Sequence, residues 1–349
     1  MCKRSMKYFC SLLIIHCSLF ISCEMPKSDL PAPQYDPDLN GWKTASWSPF
    51  AVADTINGFA YGKCRNGNGC YIAISSTGII AWSDDGDIWN KAQIVPDSAM
   101  ISCNAVCYGN GMFIAAGDGG IFAWSENGKN WTAAGMGGFG ADAIRGLAYG
   151  NKVFTAVGDN GNISCSDNGK DWASSGAAAF SGIRLNDIAF DESSSRFYVV
   201  GNGGNRGWFD NPRFGPWKHR GPEQPIGSAD ITKVAAGRYG EGPGIGIVYD
   251  SKAAIATNAE FSNFDADLET FLFAGNAIRG IAWGGGNFVT AGTSAMIGYW
   301  PSAEPSRNSE RYWRVLPFDE FRRWEISALE ACNGRFFVGN VGGKIGYSK

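Results

Sequence analysis

The chain has 349 residues, of which 48 are glycine and 13 are tryptophan, and its formal net charge is −3. Abundant glycine among many short apolar runs indicates an all-β chain with frequent tight turns. The acidic balance argues against a nucleic-acid partner, which would require a basic face. A β-rich domain that binds no nucleic acid is therefore the first expectation.

The N-terminus has the pattern of a secretory signal over residues 1–22. Lys3, Arg4 and Lys7 precede an apolar run over residues 9–21, which is short for a membrane span. Residues 20–23 (FISC) resemble a bacterial lipobox, which implies cleavage before Cys23 and acylation of that cysteine. An ordinary signal peptide and a short membrane anchor are the alternatives. Cleavage would leave a net charge of about −6, since residues 1–22 hold three basic residues and no acidic ones.

Residues 23–41 are predicted to form a tether. The segment contains four prolines and few apolar side chains, so it cannot bury a core and is expected to be extended. The lipid on Cys23 would be the chain's only contact with the membrane. We predict location in the cell envelope, in the outer membrane or at the periplasmic face, with surface exposure left open.

A repeat organises residues 42–349. Seven units begin, at spacings of about 41 to 48 residues, with a similar apolar strand. Their first residues are Ile56, Cys103, Ile144, Leu185, Ile231, Ile278 and Ile326. This period is typical of propeller blades. We predict one domain, a seven-bladed β-propeller with four strands in each blade.

The two ends of the repeat fit a closed ring. The seventh unit stops at Lys349, before a fourth strand, whereas residues 41–46 precede the first unit and could supply that strand. Pairing of the N-terminal strand with the last blade would remove the open sheet edge.

Three motifs follow the third strands of the first three units. Residues 83–89 (SDDGDIW), 125–131 (SENGKNW) and 166–172 (SDNGKDW) resemble the Asp-box, or BNR, repeat. That repeat occurs in sialidase-like propellers and in the photosystem II stability factor family, where it is a structural turn opposite the ligand face. We therefore expect these residues to stabilise the fold rather than bind a ligand.

Catalysis is less well supported than binding. The Phe-Arg-x-Pro signature of sialidases is absent, and no pair of carboxylates stands out for glycoside hydrolysis. His219 is the only histidine after residue 22 and falls in a predicted exposed loop, so a multi-histidine metal site is excluded. We predict no cofactor and no metal, and we keep a sialidase-like hydrolase as the alternative function.

The mature part has six cysteines besides Cys23. Cys64 and Cys70 flank a hairpin loop, so we predict a local disulfide in an oxidising compartment. Cys103, Cys107 and Cys165 replace apolar residues of neighbouring units, so they are expected to pack in the core.

The second residue of every inner strand is polar. These residues are Asn57, Asn104, Arg145, Asn186, Thr232, Arg279 and Ser327. The loops expected at the same face carry Asp118, Asp159, Asn202, Ser294 and Asn340. Such a ring at the channel mouth would suit an anionic or polyhydroxylated ligand, or an acidic peptide loop. Solvation of the mouth and capping of strand ends is an equally good explanation.

Aromatic and arginine-rich insertions offer a second candidate surface. Residues 205–220 expand the fourth unit, and residues 307–323 of the sixth include Tyr312, Trp313, Phe318 and Phe321. This composition is enriched at protein interfaces, although insertions also serve as covers. Together these features predict a monomeric binding propeller (an adhesin, receptor or assembly scaffold) that recognises a protein or glycan through the mouth.

Overall fold

The computed structural model describes residues 41–64, 67–96, 102–135, 137–175, 178–213, 217–264, 277–301, 314–316 and 324–348. All of them belong to one compact unit, Pro37–Lys349. The predicted signal, Cys23 and almost all of the tether lie outside the described residues and stay predictions. Within the described part of the chain, no helix is both long and apolar enough to cross a membrane.

Seven sheets form the blades, and in each of them the successive strands that begin with the innermost one pair antiparallel. Blade 1 has β2 (Ile56–Lys63), β3 (Gly69–Ser75), β4 (Ile80–Ser83) and β5 (Asn90–Lys91). Blade 2 has β7 (Cys103–Gly109), β8 (Met112–Gly117), β9 (Phe122–Ser125) and β10 (Asn130–Ala134). Blade 3 has β11 (Ile144–Gly150), β12 (Val153–Gly158), β13 (Ile163–Ser166) and β14 (Ala173–Ser174). Blade 4 has β15 (Leu185–Asp191), β16 (Arg196–Gly201), β17 (Arg206–Phe209) and β18 (Lys218–Arg220).

The remaining blades complete the circle. Blade 5 has β19 (Ile231–Tyr239), β20 (Gly242–Tyr249) and β21 (Lys252–Ala256). Blade 6 has β22 (Ile278–Gly284), β23 (Asn287–Gly292), β24 (Ile297–Pro301) and β25 (Arg314–Leu316). Blade 7 has β26 (Ile326–Cys332), β27 (Arg335–Asn340), β28 (Ile345–Ser348) and β1 (Trp42–Thr44). Each inner strand contacts the inner strands of both neighbouring blades, and β26 contacts β2. The predicted seven-bladed propeller is confirmed.

Ring closure has the predicted form. β1 pairs antiparallel with β28, with Trp42 opposite Ser348 and Thr44 opposite Gly346. Trp42 is buried. The first described strand of the chain therefore completes the last blade and covers the edge of β28.

Two blades depart from the predicted four strands. Blade 2 has a fifth strand, β6 (Gln93–Val95). This strand follows the last strand of blade 1 in the chain and pairs parallel with β10, the outer strand of blade 2. Blade 5 has three strands among the described residues, with a single bridge between Ala256 and Phe264 beyond them.

Contacts between blades repeat along the inner strands. A Cβ atom at Gly62 would overlap the ring of Tyr108 in the next blade, and one at Gly109 would overlap the ring of Tyr149. Because only glycine leaves room for the ring, this glycine–aromatic pair sets the spacing between consecutive blades.

The Asp-box-like turns are structural, as predicted. In the second turn, Ser125 Oγ accepts a hydrogen bond from Gly128 N at 2.8 Å, and Asn127 Oδ1 accepts two further backbone N–H groups. The buried Trp131 donates its indole N–H to Gly128 O at 2.9 Å. Because strands alternate in direction, these turns lie at the end of the ring opposite the starts of the inner strands.

A cation–aromatic contact crosses the blade boundaries beside these turns. Lys129 Nζ lies 3.7 Å from the centre of a Trp82 ring in blade 1 and 3.7 Å from Asp84 Oδ2. Lys170 Nζ lies 3.8 Å from a Trp124 ring in blade 2, in the same arrangement one blade further on. The lysine of the motif thus has a packing role.

Two of the cysteines lie side by side. Cys64 and Cys70 are both buried and free in this structure, with their thiols in hydrogen-bond contact, and the disulfide between them stays a prediction. The Cys64 thiol also donates to Asn127 O of blade 2 at 3.2 Å. Cys103 and Cys165 are buried, as predicted, and burial raises the pKa of the Cys103 thiol to about 12.

Candidate functional site at the channel mouth

Each inner strand begins with a β-bulge at its second residue. The pairing of inner and second strands shifts between the first and third residue of all seven inner strands. The bulged residues are the seven predicted ones, Asn57, Asn104, Arg145, Asn186, Thr232, Arg279 and Ser327. A bulge re-aims a side chain that would otherwise alternate across the sheet. We call this end of the channel, where the seven bulges converge, the mouth.

Four of the seven side chains link neighbouring blades. Asn57 Nδ2 donates to Cys103 O at 2.8 Å, and Asn104 Nδ2 donates to Ile144 O at 3.0 Å. Asn186 and Ser327 make the same bond to the first inner-strand residue of the following blade, at 2.8 and 2.7 Å. These residues satisfy backbone carbonyls and so hold the ring together, which is the capping role that the sequence left open.

A second set of contacts fixes the predicted loop residues. Asp118 accepts from Asn104 at 2.8 Å, and Asn202 accepts from Asn186 at 2.8 Å. Asn340 is buried and accepts the backbone N–H of Lys344 at 2.7 Å within its own turn. Asp118 therefore joins the hydrogen-bonded residues of the mouth, whereas Asn340 stabilises its own turn.

Arg145 forms the strongest charge pair at the mouth. Its Nε and Nη2 donate to the two carboxylate oxygens of Asp159 at 2.8 and 3.0 Å. Arg184 Nε approaches the same carboxylate at 3.6 Å and is 49% exposed. Hydrogen bonds from Arg145 lower the pKa of Asp159. Two guanidinium groups thus share one carboxylate, which leaves a local positive surplus.

Lys233 adds a third cation to the mouth. A cavity of about 250 Å³ at the centre of the mouth is lined by side chains of six blades. Its lining residues are Asn57, Asn104, Arg145, Arg184, Asn186, Thr232, Lys233 and Ser327. Sequence reasoning missed Arg184, which precedes its strand, and Lys233, although glycine or alanine stands at the position of Lys233 in most other units.

The mouth opens into a cleft beside blades 5 to 7. In blade 5 a two-residue turn joins β20 to β21, formed by Asp250 and Ser251 with φ of 42° and 64°. Blades 2, 3, 4 and 6 have a 3₁₀ turn at the corresponding place, between their second and third strands. The resulting cleft has a volume of about 800 Å³ and contains Asp230, Asp250 and Glu325 beside Arg279. Arg279 lies 3.8 Å from Glu325 and is 53% exposed, so its guanidinium is loosely held.

The mouth therefore carries separated charges. Three cations face the central cavity, whereas carboxylates outnumber the single arginine in the adjoining cleft. This arrangement can bind a chain that presents an acidic group to the centre and a basic or hydroxylated group to the cleft. Among the described residues, no cluster of three His, Cys, Asp or Glu side chains could hold a metal ion.

The fourth-blade insertion is mostly packed rather than presented. Arg206 is fully buried, bonds three backbone carbonyls and pairs with Glu223 at 2.9 Å. Phe209 is buried against Trp217. The prediction that His219 falls in an exposed loop is wrong, because the residue lies in strand β18. Its Nε2 lies 2.8 Å from Asn205 Oδ1. The aromatic residues of the sixth-unit insertion lie outside the described residues.

Comparison with known proteins places the fold. YCF48 bound to a D1 peptide matches with a TM-score of 0.64 and 14% identity, over 91% of this chain and 99% of that one. YCF48 from Cyanidioschyzon merolae gives 0.62 and 14%, over 88% and 98%. The extracellular domain of a putative hybrid two-component system from B. thetaiotaomicron gives 0.64 and 11%, over 88% and 40%. No protein family and no curated protein matches the sequence.

The class of protein follows from the fold. At identities of 11 to 14%, these similarities establish the fold, a seven-bladed β-propeller. They do not establish a shared activity. One neighbour was solved with a peptide bound, and another is an extracellular domain.

Proposed function

We propose that the chain is a lipid-anchored protein of the cell envelope whose propeller binds a segment of a partner protein at the mouth. The observation that carries this proposal is the separation of charge there: Arg145, Arg184 and Lys233 face the centre, and carboxylates line the adjoining cleft. The peptide-bound propeller among the structural neighbours gives a precedent for peptide binding by the same fold.

Acidic side chains of the partner would enter the central cavity. A guanidinium has five N–H donors, and Asp159 takes two from Arg145. The Arg184 guanidinium is half exposed and touches Asp159 only at 3.6 Å. Donors therefore remain for a carboxylate that arrives from solvent, and a charge-assisted bond of this kind is stronger than a neutral one.

The carboxylates of the cleft would make binding selective among partner segments that carry acidic residues. Asp230, Asp250 and Glu325 repel a uniformly acidic chain and attract a lysine or arginine beside the bound carboxylate. We therefore expect a mixed-charge segment to bind in preference to an all-acidic one.

An array of short synthetic peptides tests the proposal. The peptides carry Glu alone, Lys alone, or both at varied separations on a neutral background, and they are probed with residues 24–349. We expect mixed Glu–Lys peptides to bind, and we expect the Arg145→Gln/Arg184→Gln variant to lose most of that binding. Equal capture of all peptides by parent and variant would contradict a site at the mouth.

Arg196 provides a matched control. It pairs with Asp210 at 2.8 Å, as Arg145 pairs with Asp159, but it lies at the opposite end of blade 4. Arg196→Gln removes a similar ion pair and one of the two positive charges that the double variant loses, and it should retain peptide binding. Loss of binding in both variants would indicate a general effect of net charge instead of a site.

The anchor needs a separate test in cells. Cys23→Ser removes the predicted acylation site, so the variant should leave the membrane fraction and lack the acyl mass found on the mature parent. An unlipidated parent in the same fractions would overturn the anchor without affecting the mouth.

A further inference from the structure

Below the mouth, three charged residues occupy positions that are otherwise small. The third residue of the inner strand is glycine or alanine in five blades, but Asp187 in blade 4 and Lys233 in blade 5. The fifth residue is alanine or cysteine in six blades, but Glu330 in blade 7. Side chains of these two positions point to the same side of their strands, because residues two apart share a face.

The three side chains line one channel cavity. Its volume is about 410 Å³, and all seven inner strands contribute to its wall. Asp187 is held in place, since Oδ1 accepts Ile188 N at 3.0 Å and Oδ2 accepts Val234 N of blade 5 at 3.1 Å. Volumes of this size are typical of small-molecule sites.

Lys233 and Glu330 have no direct partner within the described part of the chain. Neither side chain forms a hydrogen bond or an ion pair with another described residue. Lys233 and Asp187 nevertheless act electrostatically on Glu330 across the channel. Lys233 is half-buried and Glu330 is exposed on the channel wall, so both side chains are open to a ligand that supplies the missing partners.

We propose that the channel binds a small zwitterion, an amino acid or short ω-amino carboxylate, with its ammonium group at Glu330 and its carboxylate at Lys233. Asp187 lies level with Lys233 in the neighbouring blade and adds negative potential to the channel wall. Two residues along a strand rise by about 6.6 Å, so the separation from Lys233 to Glu330 favours a ligand whose charged groups are several bonds apart. Arg145 and Lys233 border both this cavity and the mouth, whereas Glu330 borders this cavity and not the mouth, so a change at Glu330 distinguishes the two sites.

Proton release accompanies this binding. Desolvation at the channel wall raises the pKa of Glu330 to about 8, a net value to which Lys233 contributes a lowering and Asp187 a raising effect. An arriving ammonium stabilises the carboxylate, so affinity rises with pH up to about 8 and levels off above it. Tyr61 of the neighbouring strand β2 and Cys332 of β26, the strand of Glu330 itself, also border the cavity. Burial raises the pKa of both, so they stay neutral over this range.

Calorimetric titration of the full mature chain tests the proposal. The probes are glycine, 4-aminobutanoate and 6-aminohexanoate, with butylamine and butanoate as single-charge controls. We expect one of the two longer zwitterions to bind best, both single-charge probes to fail, and heats in buffers of different ionisation enthalpy to report proton release.

Two variants locate the site. Glu330→Gln and Lys233→Gln each remove one of the two partners, and each should weaken binding about tenfold or more while unfolding cooperatively. Zwitterion binding that survives both variants, or an absence of binding by the folded parent, would overturn the proposal. Butylamine that binds as tightly as the zwitterions would also overturn it, in favour of a simple cation site. Peptide capture at the mouth, measured on Glu330→Gln, separates failure of the channel site from failure of the proposed function.

Discussion

Asn104 donates its side-chain amide to Asp118 Oδ1 at 2.8 Å and to the carbonyl oxygen of Ile144 at 3.0 Å. The first bond ties the residue to its own blade, and the second ties it to the next blade. A polar side chain at the mouth therefore also stabilises the contact between two blades. Experiments must separate this structural role from the proposed role in ligand binding.

Asn104→Ala should lower the free energy of unfolding by about 1–2 kcal/mol, because the Ile144 carbonyl loses its donor at a blade boundary. Urea unfolding of parent and variant measures the difference. Thr232→Val is the control, since the Thr232 hydroxyl bonds Val248 O at 3.3 Å inside its own blade. A loss for Thr232→Val as large as that for Asn104→Ala would show that the bond between blades has no special weight.

Asn127→Ala tests the turns at the opposite face. The variant removes the acceptor of two backbone N–H groups, those of Lys129 and Asn130, at 2.9 Å each. We expect a loss of about 1–2 kcal/mol in unfolding free energy and unchanged capture of mixed-charge peptides. Weakened peptide capture by a variant that is still folded would place the binding face at these turns instead of the mouth.

The seven blades and the closing strand could be predicted because each depends on a pattern that the chain repeats. The seven polar positions could be predicted in the same way, but not that each is a bulge. A bulge is a mismatch in count between two paired strands, and the sequence of one strand does not contain it. The bonds from Asn57 and Ser327 to the next blade follow from that geometry.

The residues that were missed had weaker signals. Asp187, Lys233 and Glu330 interrupt columns of small residues in the aligned units, which is visible in the sequence once the channel wall is known. Arg184 lies before the repeated strand, so alignment of the strands passes over it. The cleft depends on the short turn at Asp250, whose effect appears only when the other blades are placed around it.

Truncation at the N-terminus tests ring closure. A chain that begins at Gly41 keeps β1, whereas one that begins at Trp47 loses the strand and exposes the edge of β28. We expect the shorter chain to unfold at lower temperature and to associate, because an unpaired edge strand templates pairing with other molecules. Size-exclusion chromatography and thermal melting compare the two chains. Identical behaviour would mean that β1 contributes nothing to closure.

The channel glutamate should make stability depend on pH. The pKa of Glu330 is about 8 in the folded protein against 4.5 for a free side chain, because desolvation within the channel disfavours its charge. Between these values the folded state holds a proton that the unfolded state has lost, so stability from this group falls as pH rises and is lost above about pH 8. Glu330→Gln removes the titration, so the variant should gain stability relative to the parent as pH rises across this interval. Glu192→Gln, a substitution of a glutamate that does not line the channel cavity, is the control and should follow the parent. If the two variants change in parallel with pH, Glu330 is ionised in the folded channel at neutral pH, and the proton release expected on zwitterion binding would be absent as well.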